Sequence, residues 1–221
     1  MKFKCVIFDL DGTLVDALDD IAVSMNRALE SHGYPPVDRS RYGGMVGWGI
    51  KKLAYLALPP EAQNEQNAEP VAAQAAAFYA EQPVVHSRPY PGILELTGEL
   101  KRLKIRLAVL TNKPDPVAQR VIAGLFPPAA FDIVQGDSGD LRKNFRRKPD
   151  PAAAWDIIMA LGTTPRETVF VGDSEIDMET ALAAECHAVG VSWGYRPRRT
   201  LEQAGAQRII DEPAELLRII K

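Results

Sequence analysis

Two aspartates, Asp9 and Asp11, stand two residues apart at the end of an apolar run and directly before Gly12. The run, Cys5 to Phe8, has the apolar and partly β-branched character of a strand that is buried on both faces. Residues i and i+2 of a strand point to the same side, so the two carboxylates begin as neighbours, and Gly12 allows the backbone to turn away sharply. Carboxylates this close repel each other unless a cation or a shared proton lies between them. The motif therefore predicts a metal-assisted site that handles an anion.

An Asp-x-Asp-Gly run also occurs in ordinary surface turns and in calcium-binding loops. The residues that follow this one lack the further acids and the closing Glu of a calcium loop. The preceding pattern of a buried strand argues against a simple turn. These alternatives are decided by whether the rest of the chain brings suitable partners to the same place.

Helical periodicity begins directly after the acidic motif. Three amphipathic stretches predict helices: Leu18 to His32, Ile50 to Leu58, and about Ala68 to Glu81. No convincing strand pattern interrupts them. We therefore predict an all-helical insertion, residues 16–84, that lies above the strand ends and acts as a cap. The catalytic core would then consist of residues 1–15 and 85–221.

From Pro91 onward, helical and strand patterns alternate. Strands are expected at Ile105 to Leu110, Phe131 to Val134, Thr168 to Val171, Ala188 to Val191, and Ile209 to Ile210. Helices are expected at Ile93 to Leu103, after the Asp115 N-cap, at Ala152 to Leu161 after Asp150, at Ile176 to Ala184, and at Pro213 to Ile220. This alternation predicts an α/β fold, a doubly wound parallel sheet with helices on both faces.

Polar residues follow several of these strands at their carboxyl ends. Thr111 and Asn112 follow the second core strand, Lys148 closes the loop after the third, and Asp173 follows the fourth, with Asp177 one helical turn further on. Taken singly, each could be a loop cap, a solvated charge or a turn residue. In an open α/β sheet, however, ligands bind at the carboxyl ends of the strands. We therefore expect these residues to share one crevice with the two aspartates of the first strand.

Bulk composition limits the classes of function. The chain has 221 residues, 46% hydrophobic and 25% charged, with a net charge of -3, which is typical of a globular protein and shows no nucleic-acid footprint. No apolar run approaches the length of a membrane span or resembles a signal peptide. The two cysteines, Cys5 and Cys186, form no CxxC pair, so we expect buried thiols and a cytoplasmic location.

The four motifs together resemble the haloacid dehalogenase superfamily of phosphatases. They read DLDGTLVD from Asp9, LTN from Leu110, KPDP from Lys148 and GDSEID from Gly172, and they match that family in order and spacing. The insertion is similar to the family's helical cap of the first type. Thr13 is typical of phosphatases rather than of the related sugar phosphomutases. The segments at 46–49, 86–92 and 190–196 resemble the phosphoglycolate phosphatase branch.

The resemblance implies a role for each motif residue. Asp9 would be the nucleophile that forms an aspartyl-phosphate, and Asp11 would protonate the leaving alkoxide and then deprotonate water. Mg²⁺ would be held by the carboxylates of Asp9 and Asp173 and by the backbone carbonyl of Asp11, with Asp177 bracing the site. The phosphoryl oxygens would be contacted by Gly12, Thr111, Asn112 and Lys148. The expected substrate is a small anionic phosphate ester, with 2-phosphoglycolate first.

Several alternatives stay open at this point. Among enzymes they are a pyrophosphatase, a sugar phosphatase and a β-phosphoglucomutase-like isomerase, with a metal-free dehalogenase more remote. A non-catalytic binding protein is a further alternative, although such a protein would be expected to lose the acidic motif. The pattern allows either a monomer or a homodimer.

The residues that would read the substrate from the insertion are not specified by any pattern. Arg41, Tyr42, Lys51 and Lys52 lie near a Gly-rich loop, residues 43–49. Trp48 within that loop is expected to pack in the core of the insertion. Late in the chain, Arg196 belongs to a basic cluster that we expect to be solvated.

Overall fold

The computed structural model describes residues 2–138 and 146–220. In chain order, the strands are β1 Cys5–Phe8, β2 Val15–Asp16, β3 Arg88–Pro89, β4 Arg106–Pro114, β5 Ile133–Asp137, β6 Thr168–Gly172, β7 His187–Val191 and β8 Arg208–Ile210. The helices are α1 Leu18–Ser31, α2 Arg39–Tyr42, α3 Ile50–Ala57, α4 Glu65–Glu81, α5 Ile93–Arg102, α6 Asp115–Leu125, α7 Ala152–Ala160, α8 Glu175–Ala183, α9 Arg198–Gln203 and α10 Leu216–Ile220. Among these described helices, none has the length and apolar character needed to cross a bilayer.

Six strands form one parallel sheet in the order β5-β4-β1-β6-β7-β8. The predicted α/β class, a doubly wound parallel sheet, is thus confirmed. The first strand lies in the middle, with Cys5 paired to Arg106 on one side and to Thr168 on the other. Because both edges and both faces of β1 are covered, all four of its residues are buried, which explains its uninterrupted apolar sequence.

Alternate residues of β1 enter two separate hydrophobic cores. Cys5 and Ile7 pack with residues of α7 and α8 on one face of the sheet. Val6 and Phe8 belong to the larger core on the other face, which also takes in the apolar sides of α1, α3 and α4. The two cysteines of the chain are free and buried, as predicted. The same larger core therefore continues from the sheet into the helices that follow β2.

Four helices, α1 to α4, lie between β2 and β3. Those two strands pair with each other as a short antiparallel ribbon, with Val15 opposite Pro89. The sequence did not indicate this ribbon because two residues are too few to show an alternating pattern. The helix α4 begins earlier than predicted, since the side chain of Asn64 accepts a hydrogen bond from the Asn67 amide and Pro70 is tolerated inside the helix.

Two predicted helix caps are wrong by one position. Asp115 is the first residue of α6 rather than its N-cap, and its carboxylate accepts a hydrogen bond of 2.9 Å from the Gly136 amide in β5. Asp150 precedes the N-cap Pro151 and accepts a hydrogen bond from the Ala152 amide. Strand β4 also continues beyond the predicted end at Leu110 to Pro114. This extension brings the residues after Asn112 to the carboxyl edge of the sheet.

Asp20 joins α1 to the segment that leads into β3. Its buried carboxylate accepts hydrogen bonds from the backbone amides of Val85, His86 and Ser87, and a bond of 2.6 Å from the Ser87 hydroxyl. We expect Asp20→Asn to lower the free energy of unfolding by about 3 kcal/mol, because an amide group would set its own N–H donors against these donors. Urea unfolding followed by circular dichroism measures this loss.

The neighbouring Asp19 supplies the matched control for Asp20. It is partly exposed and pairs with Arg39 at the surface. An exposed pair of this kind contributes about 1 kcal/mol or less, so Asp19→Asn should leave the unfolding curve nearly unchanged. Equal losses in the two variants would show that the buried acceptor has no special weight.

Candidate active site

A cluster of charged side chains lies at the carboxyl edge of the parallel sheet. Asp9 follows β1, Asp173 follows β6, and Lys148 comes from the loop before α7. All three are nearly inaccessible to solvent. Parallel strands end at a common edge, which is why residues so distant in sequence meet here.

Lys148 lies between two carboxylates. Its Nζ donates to Asp9 Oδ1 and to Asp177 Oδ1, each at 2.6 Å. The other oxygen of Asp177 accepts hydrogen bonds from the backbone amide and hydroxyl of Ser174, which completes a capping box at the start of α8. Asp177 therefore has both oxygens committed. Asp9 Oδ2, in contrast, accepts no hydrogen bond from any residue that the structure describes.

Asp173 is held by neighbours from two other segments. Its Oδ1 accepts a hydrogen bond of 3.2 Å from the Thr13 hydroxyl, and its Oδ2 accepts one of 2.7 Å from the Tyr195 amide. Gly12, with φ +90°, packs so tightly here that a Cβ would lie 2.3 Å from Asp173 Oδ2. A Cβ at Gly194 would lie 2.2 Å from the Asp173 Cβ. Both glycines are thus required by the close approach of the backbone to this carboxylate.

The carboxylate cluster fits a divalent cation. Asp9, Asp173 and Asp177 each offer an oxygen, and these oxygens lie within 4.8 Å of one another. One ammonium, that of Lys148, contacts two of these three carboxylates. Hard oxygen donors with an excess of negative charge suit Mg²⁺. Asp173 is a better ligand than Asp177, because its hydrogen-bond partners, the Thr13 hydroxyl and the Tyr195 amide, are neutral, whereas Asp177 already binds the Lys148 ammonium. The Asp9 carboxylate would supply the second ligand.

Burial controls the titration of this cluster. Burial raises the pKa of Asp9 to about 7, against the opposing attraction of Lys148. Burial, together with Asp177 and Asp9, raises the pKa of Asp173 well above its ordinary value. Burial lowers the pKa of Lys148, but the two carboxylates outweigh it and the net direction is upward. The ammonium thus stays charged, whereas the Asp9 and Asp173 carboxylates are ready to take up a proton or a cation.

This titration predicts how the metal-free protein responds to pH. The Asp9 pKa is about 7 in the folded chain and near 3.8 when unperturbed, so protons bind the native state more tightly. The resulting stabilisation is fully present below about pH 4 and is lost as the pH rises through about 7. We expect the free energy of unfolding in EDTA to fall across this window by a few kcal/mol. Urea unfolding at several pH values measures the slope.

Added Mg²⁺ should act in the opposite direction. A divalent cation binds ionised carboxylates, so the stabilisation by Mg²⁺ should grow as the pH rises over the same window. The variant Asp9→Asn, which has no proton to exchange at this position, should show a smaller slope in EDTA. A wild-type slope that Asp9→Asn leaves unchanged would contradict the assignment of the titration to Asp9.

Lys113 is a site residue that the sequence analysis missed. Its Nζ donates to both oxygens of Asp11, at 2.8 and 2.6 Å, and lies 4.4 Å from the centre of the Tyr79 ring. The ammonium is buried, and Asp11 outweighs the effect of burial and raises its pKa to about 12. The position directly follows the LTN motif, so a basic residue adjoining that motif was the available signal.

The residues expected to contact phosphate differ in their hydrogen-bond partners. Thr111 lines the cavity, and its oxygen accepts a hydrogen bond from the Lys113 amide. Asn112 donates to the carbonyls of Gly47 and Lys148 and accepts from the Lys148 amide, so its side chain positions the Lys148 loop. The Gly12 amide donates to the Val15 carbonyl. Direct contact of Gly12 and Asn112 with phosphate stays a prediction.

A cavity lies between the charged cluster and the helices that connect β2 to β3. Its floor contains Asp9, Asp11, Lys113 and Lys148. Most of its upper wall is apolar and consists of Ile21, Met25, Val46, Ile50, Leu53 and Ala75. The Tyr79 ring completes that wall, and its buried hydroxyl has no hydrogen-bond partner in the described residues.

The expectation for Trp48 is wrong. The residue is 39% exposed and does not line the cavity. The adjacent Gly47 and Gly49 have positive φ angles, and the Gly47 carbonyl faces Asn112, so the loop presents its backbone to the site and Trp48 to solvent. The candidates named from the loop's surroundings, Arg41, Tyr42, Lys51 and Lys52, are likewise absent from the cavity lining.

Arg196 also differs from expectation, because it is buried rather than solvated. Its guanidinium donates to the carbonyls of Gly43 and Val46 in the Gly-rich loop and to Glu175 on α8. The adjacent Tyr195 accepts a hydrogen bond from the Ala17 amide through its hydroxyl. This segment thus ties the Gly-rich loop and the start of α1 to the sheet edge.

Comparisons with known proteins agree on one relationship. A family model described as haloacid dehalogenase-like hydrolase matches residues 6–191. Phosphoglycolate phosphatase of Rhodospirillum rubrum is 36% identical over 220 residues, 96% of this chain and 89% of that protein. N-acetylmuramic acid 6-phosphate phosphatase of Pseudomonas aeruginosa is 31% identical over 100% of this chain and 96% of that protein. A crystal structure described as a predicted phosphoglycolate phosphatase from Haemophilus somnus matches with a TM-score of 0.89 at 30% identity, over 100% of this chain and 99% of that one.

Proposed function

The chain belongs to the haloacid dehalogenase-like hydrolase family and is a phosphatase, and on that premise we propose that it hydrolyses a small anionic phosphate monoester through an aspartyl-phosphate. The leading substrate is 2-phosphoglycolate, because relatives named phosphoglycolate phosphatase align with nearly the whole chain. The observation that carries the proposed chemistry is the state of Asp9. Asp9 lines the cavity, one of its oxygens is fixed by Lys148 at 2.6 Å, and the other accepts no hydrogen bond from the described residues.

In the proposed first step, Asp9 Oδ2 attacks the phosphorus atom. An O–P bond forms to Asp9 while the ester O–P bond breaks, and Asp11 gives a proton, taken up from solvent before the step, to the departing alkoxide oxygen. Lys148 and Thr111 both line the cavity, and they would stabilise the negative charge that gathers on the phosphoryl oxygens. Bound Mg²⁺, held by Asp9 and Asp173, would neutralise part of the charge of the substrate phosphate.

In the second step, a water molecule attacks the phosphorus of the aspartyl-phosphate. Asp11, now ionised, takes a proton from that water, and the Asp9 O–P bond breaks to release inorganic phosphate. Asp177 has no direct part in either step. Asp177 holds Lys148 and the first turn of α8, and it thereby fixes the Lys148 ammonium beside the nucleophile Asp9.

We further propose that the helical insertion, residues 16–84, works as the cap over a core formed by residues 1–15 and 85–221. Residues of α1, α3 and α4 line the cavity above the nucleophile, which supports this role. A closed cap would exclude bulk water during the first step and would open to release product. We place the reaction in the cytoplasm, and the free, buried thiols of Cys5 and Cys186 are compatible with a reducing compartment.

The test of this function is phosphate release from a panel of esters with Mg²⁺ and then with EDTA. The panel contains 2-phosphoglycolate, glucose 1-phosphate, fructose 1-phosphate, a nucleoside monophosphate and pyrophosphate. We expect a preference for 2-phosphoglycolate of about tenfold or more, or about 1.4 kcal/mol in the transition state, and loss of activity in EDTA. Rearranged sugar phosphates without phosphate release would instead identify a mutase.

A second candidate is a sugar phosphatase. Two observations favour it: a relative named N-acetylmuramic acid 6-phosphate phosphatase covers 100% of this chain, and the upper wall of the cavity is largely apolar. N-acetylmuramic acid 6-phosphate therefore belongs in the same panel. A preference for this ester over 2-phosphoglycolate would replace the leading substrate while leaving the proposed chemistry intact.

A further inference from the structure

The Lys113–Asp11 ion pair presents a problem for the proposed reaction. Asp11 has to hydrogen-bond to the ester oxygen of the substrate in order to protonate it. In the structure, however, both oxygens of Asp11 accept hydrogen bonds from Lys113 Nζ. The pair is buried, with the Lys113 side chain 3% exposed and that of Asp11 11% exposed. Water is therefore a poor replacement partner for either charge.

Lys113 and Lys148 are the two cationic residues that line the cavity among the described residues. Of these two, Lys148 is committed to Asp9 and Asp177 on the phosphate side. The wall above Lys113 offers side chains such as Met25, Ile50 and Leu53. Among the residues that line the cavity, Lys113 is therefore the cation that a buried anion on the substrate's alcohol would need as its partner.

We propose that Lys113 selects for a carboxylate on the leaving alcohol by exchanging its partner from Asp11 to that carboxylate when substrate binds. This inference rests on the proposed phosphatase function. The exchange preserves one buried ion pair, so neither ammonium nor substrate is left uncompensated. It also releases Asp11 to turn towards the ester oxygen.

The expected position of the substrate fits this exchange. In 2-phosphoglycolate, the carboxylate is attached to the same carbon that bears the ester oxygen. An ester oxygen in contact with Asp11 therefore brings the carboxylate close to the ammonium that contacts both oxygens of Asp11. An ester without an anion at this carbon offers Lys113 no partner to replace Asp11, so Asp11 stays bound to Lys113.

Two substrates isolate the effect of the carboxylate. Ethyl phosphate has a methyl group at the place where 2-phosphoglycolate has its carboxylate. We expect wild-type protein to prefer 2-phosphoglycolate in kcat/KM, and Lys113→Met to reduce that preference by about tenfold or more. Lys113→Arg retains the charge and should retain most of the preference. Methionine keeps most of the volume of the lysine stem, and circular dichroism checks the fold of each variant. If Lys113→Met does not fold, Lys113→Gln takes its place.

A binding measurement separates recognition from catalysis. The non-hydrolysable analogues 3-phosphonopropionate and propylphosphonate differ by the same exchange of carboxylate for methyl. Calorimetry with Mg²⁺ present should show that wild type binds 3-phosphonopropionate more tightly than propylphosphonate. For Lys113→Met, the dissociation constants of the two analogues should be nearly equal.

The outcomes distinguish this inference from the function on which it rests. If wild-type protein hydrolyses neither ester, the proposed function fails. If it prefers 2-phosphoglycolate and Lys113→Met keeps that preference, or loses activity on both esters equally, recognition by Lys113 is overturned while the phosphatase function stands. A loss confined to 2-phosphoglycolate and its analogue supports the exchange.

Discussion

Replacing Asp9 with Asn is expected to lower kcat for phosphate release by about 10⁴-fold or more, about 5.4 kcal/mol in activation free energy. The substitution keeps the shape of the side chain and an acceptor for Lys148, but it removes the anionic oxygen that would attack phosphorus. Burial holds the pKa of Asp9 at about 7 without metal, so the wild-type carboxylate is ionised to a useful extent near neutral pH. Single-turnover assays with Mg²⁺ measure the loss.

The matched control is Asp156→Asn, which makes the same change on an exposed position of α7. This variant should keep wild-type activity. The Asp9→Asn protein should remain folded, since Lys148 retains its contact with Asp177. Retention of more than about 1% of the wild-type rate by Asp9→Asn would be incompatible with covalent catalysis at this residue.

Replacing Lys148 with Met is expected to affect stability and activity together. The ammonium is the partner of two buried carboxylates, Asp9 and Asp177, and removing it leaves both without their cation. We expect the free energy of unfolding in EDTA near neutral pH to fall by about 3–5 kcal/mol. With Mg²⁺, kcat should fall by about 10²-fold or more, because the charge beside the phosphoryl oxygens is lost.

The stability loss in Lys148→Met should shrink at low pH. A protonated carboxyl group needs no cationic partner, and burial already raises the pKa of Asp9 to about 7. Urea unfolding of wild type and variant at about pH 5 and about pH 8 measures this difference. Lys4→Met serves as the control, since Lys4 is an exposed lysine paired with Glu167. Equal losses of unfolding free energy for Lys4→Met and Lys148→Met would contradict the claim that burial makes the Lys148 ion pairs important for stability.

Much of the fold and of the catalytic edge was predictable from local sequence. Buried parallel strands such as β1 and β6 are mostly apolar, and each is followed directly by an aspartate, Asp9 or Asp173. The rule that strands of an open α/β sheet present their carboxyl ends to the ligand then places these residues together without further information.

Contacts that depend on tertiary structure could not be predicted in this way. The burial of Lys113 and of Arg196 is decided by partners far away in sequence, Asp11 for the first and the Gly-rich loop for the second. Clustered basic residues in a sequence are usually at the surface, so the pattern favoured the wrong environment for Arg196. Trp48 shows the converse error, since its apolar type favoured burial but the backbone geometry of the two adjacent glycines exposes it.

The central place of β1 has a consequence for the order in which the protein folds. This strand is made first, yet its neighbours β4 and β6 come much later in the chain. Cys5 has no strand to pair with until Arg106 has been synthesised on one side and Thr168 on the other. Such non-local pairing is slow to form, because long loops must close before any contact is gained. The nucleophile thus acquires its surroundings only after β6 has been synthesised, so a nascent chain that stops short of β6 carries Asp9 but no assembled catalytic centre.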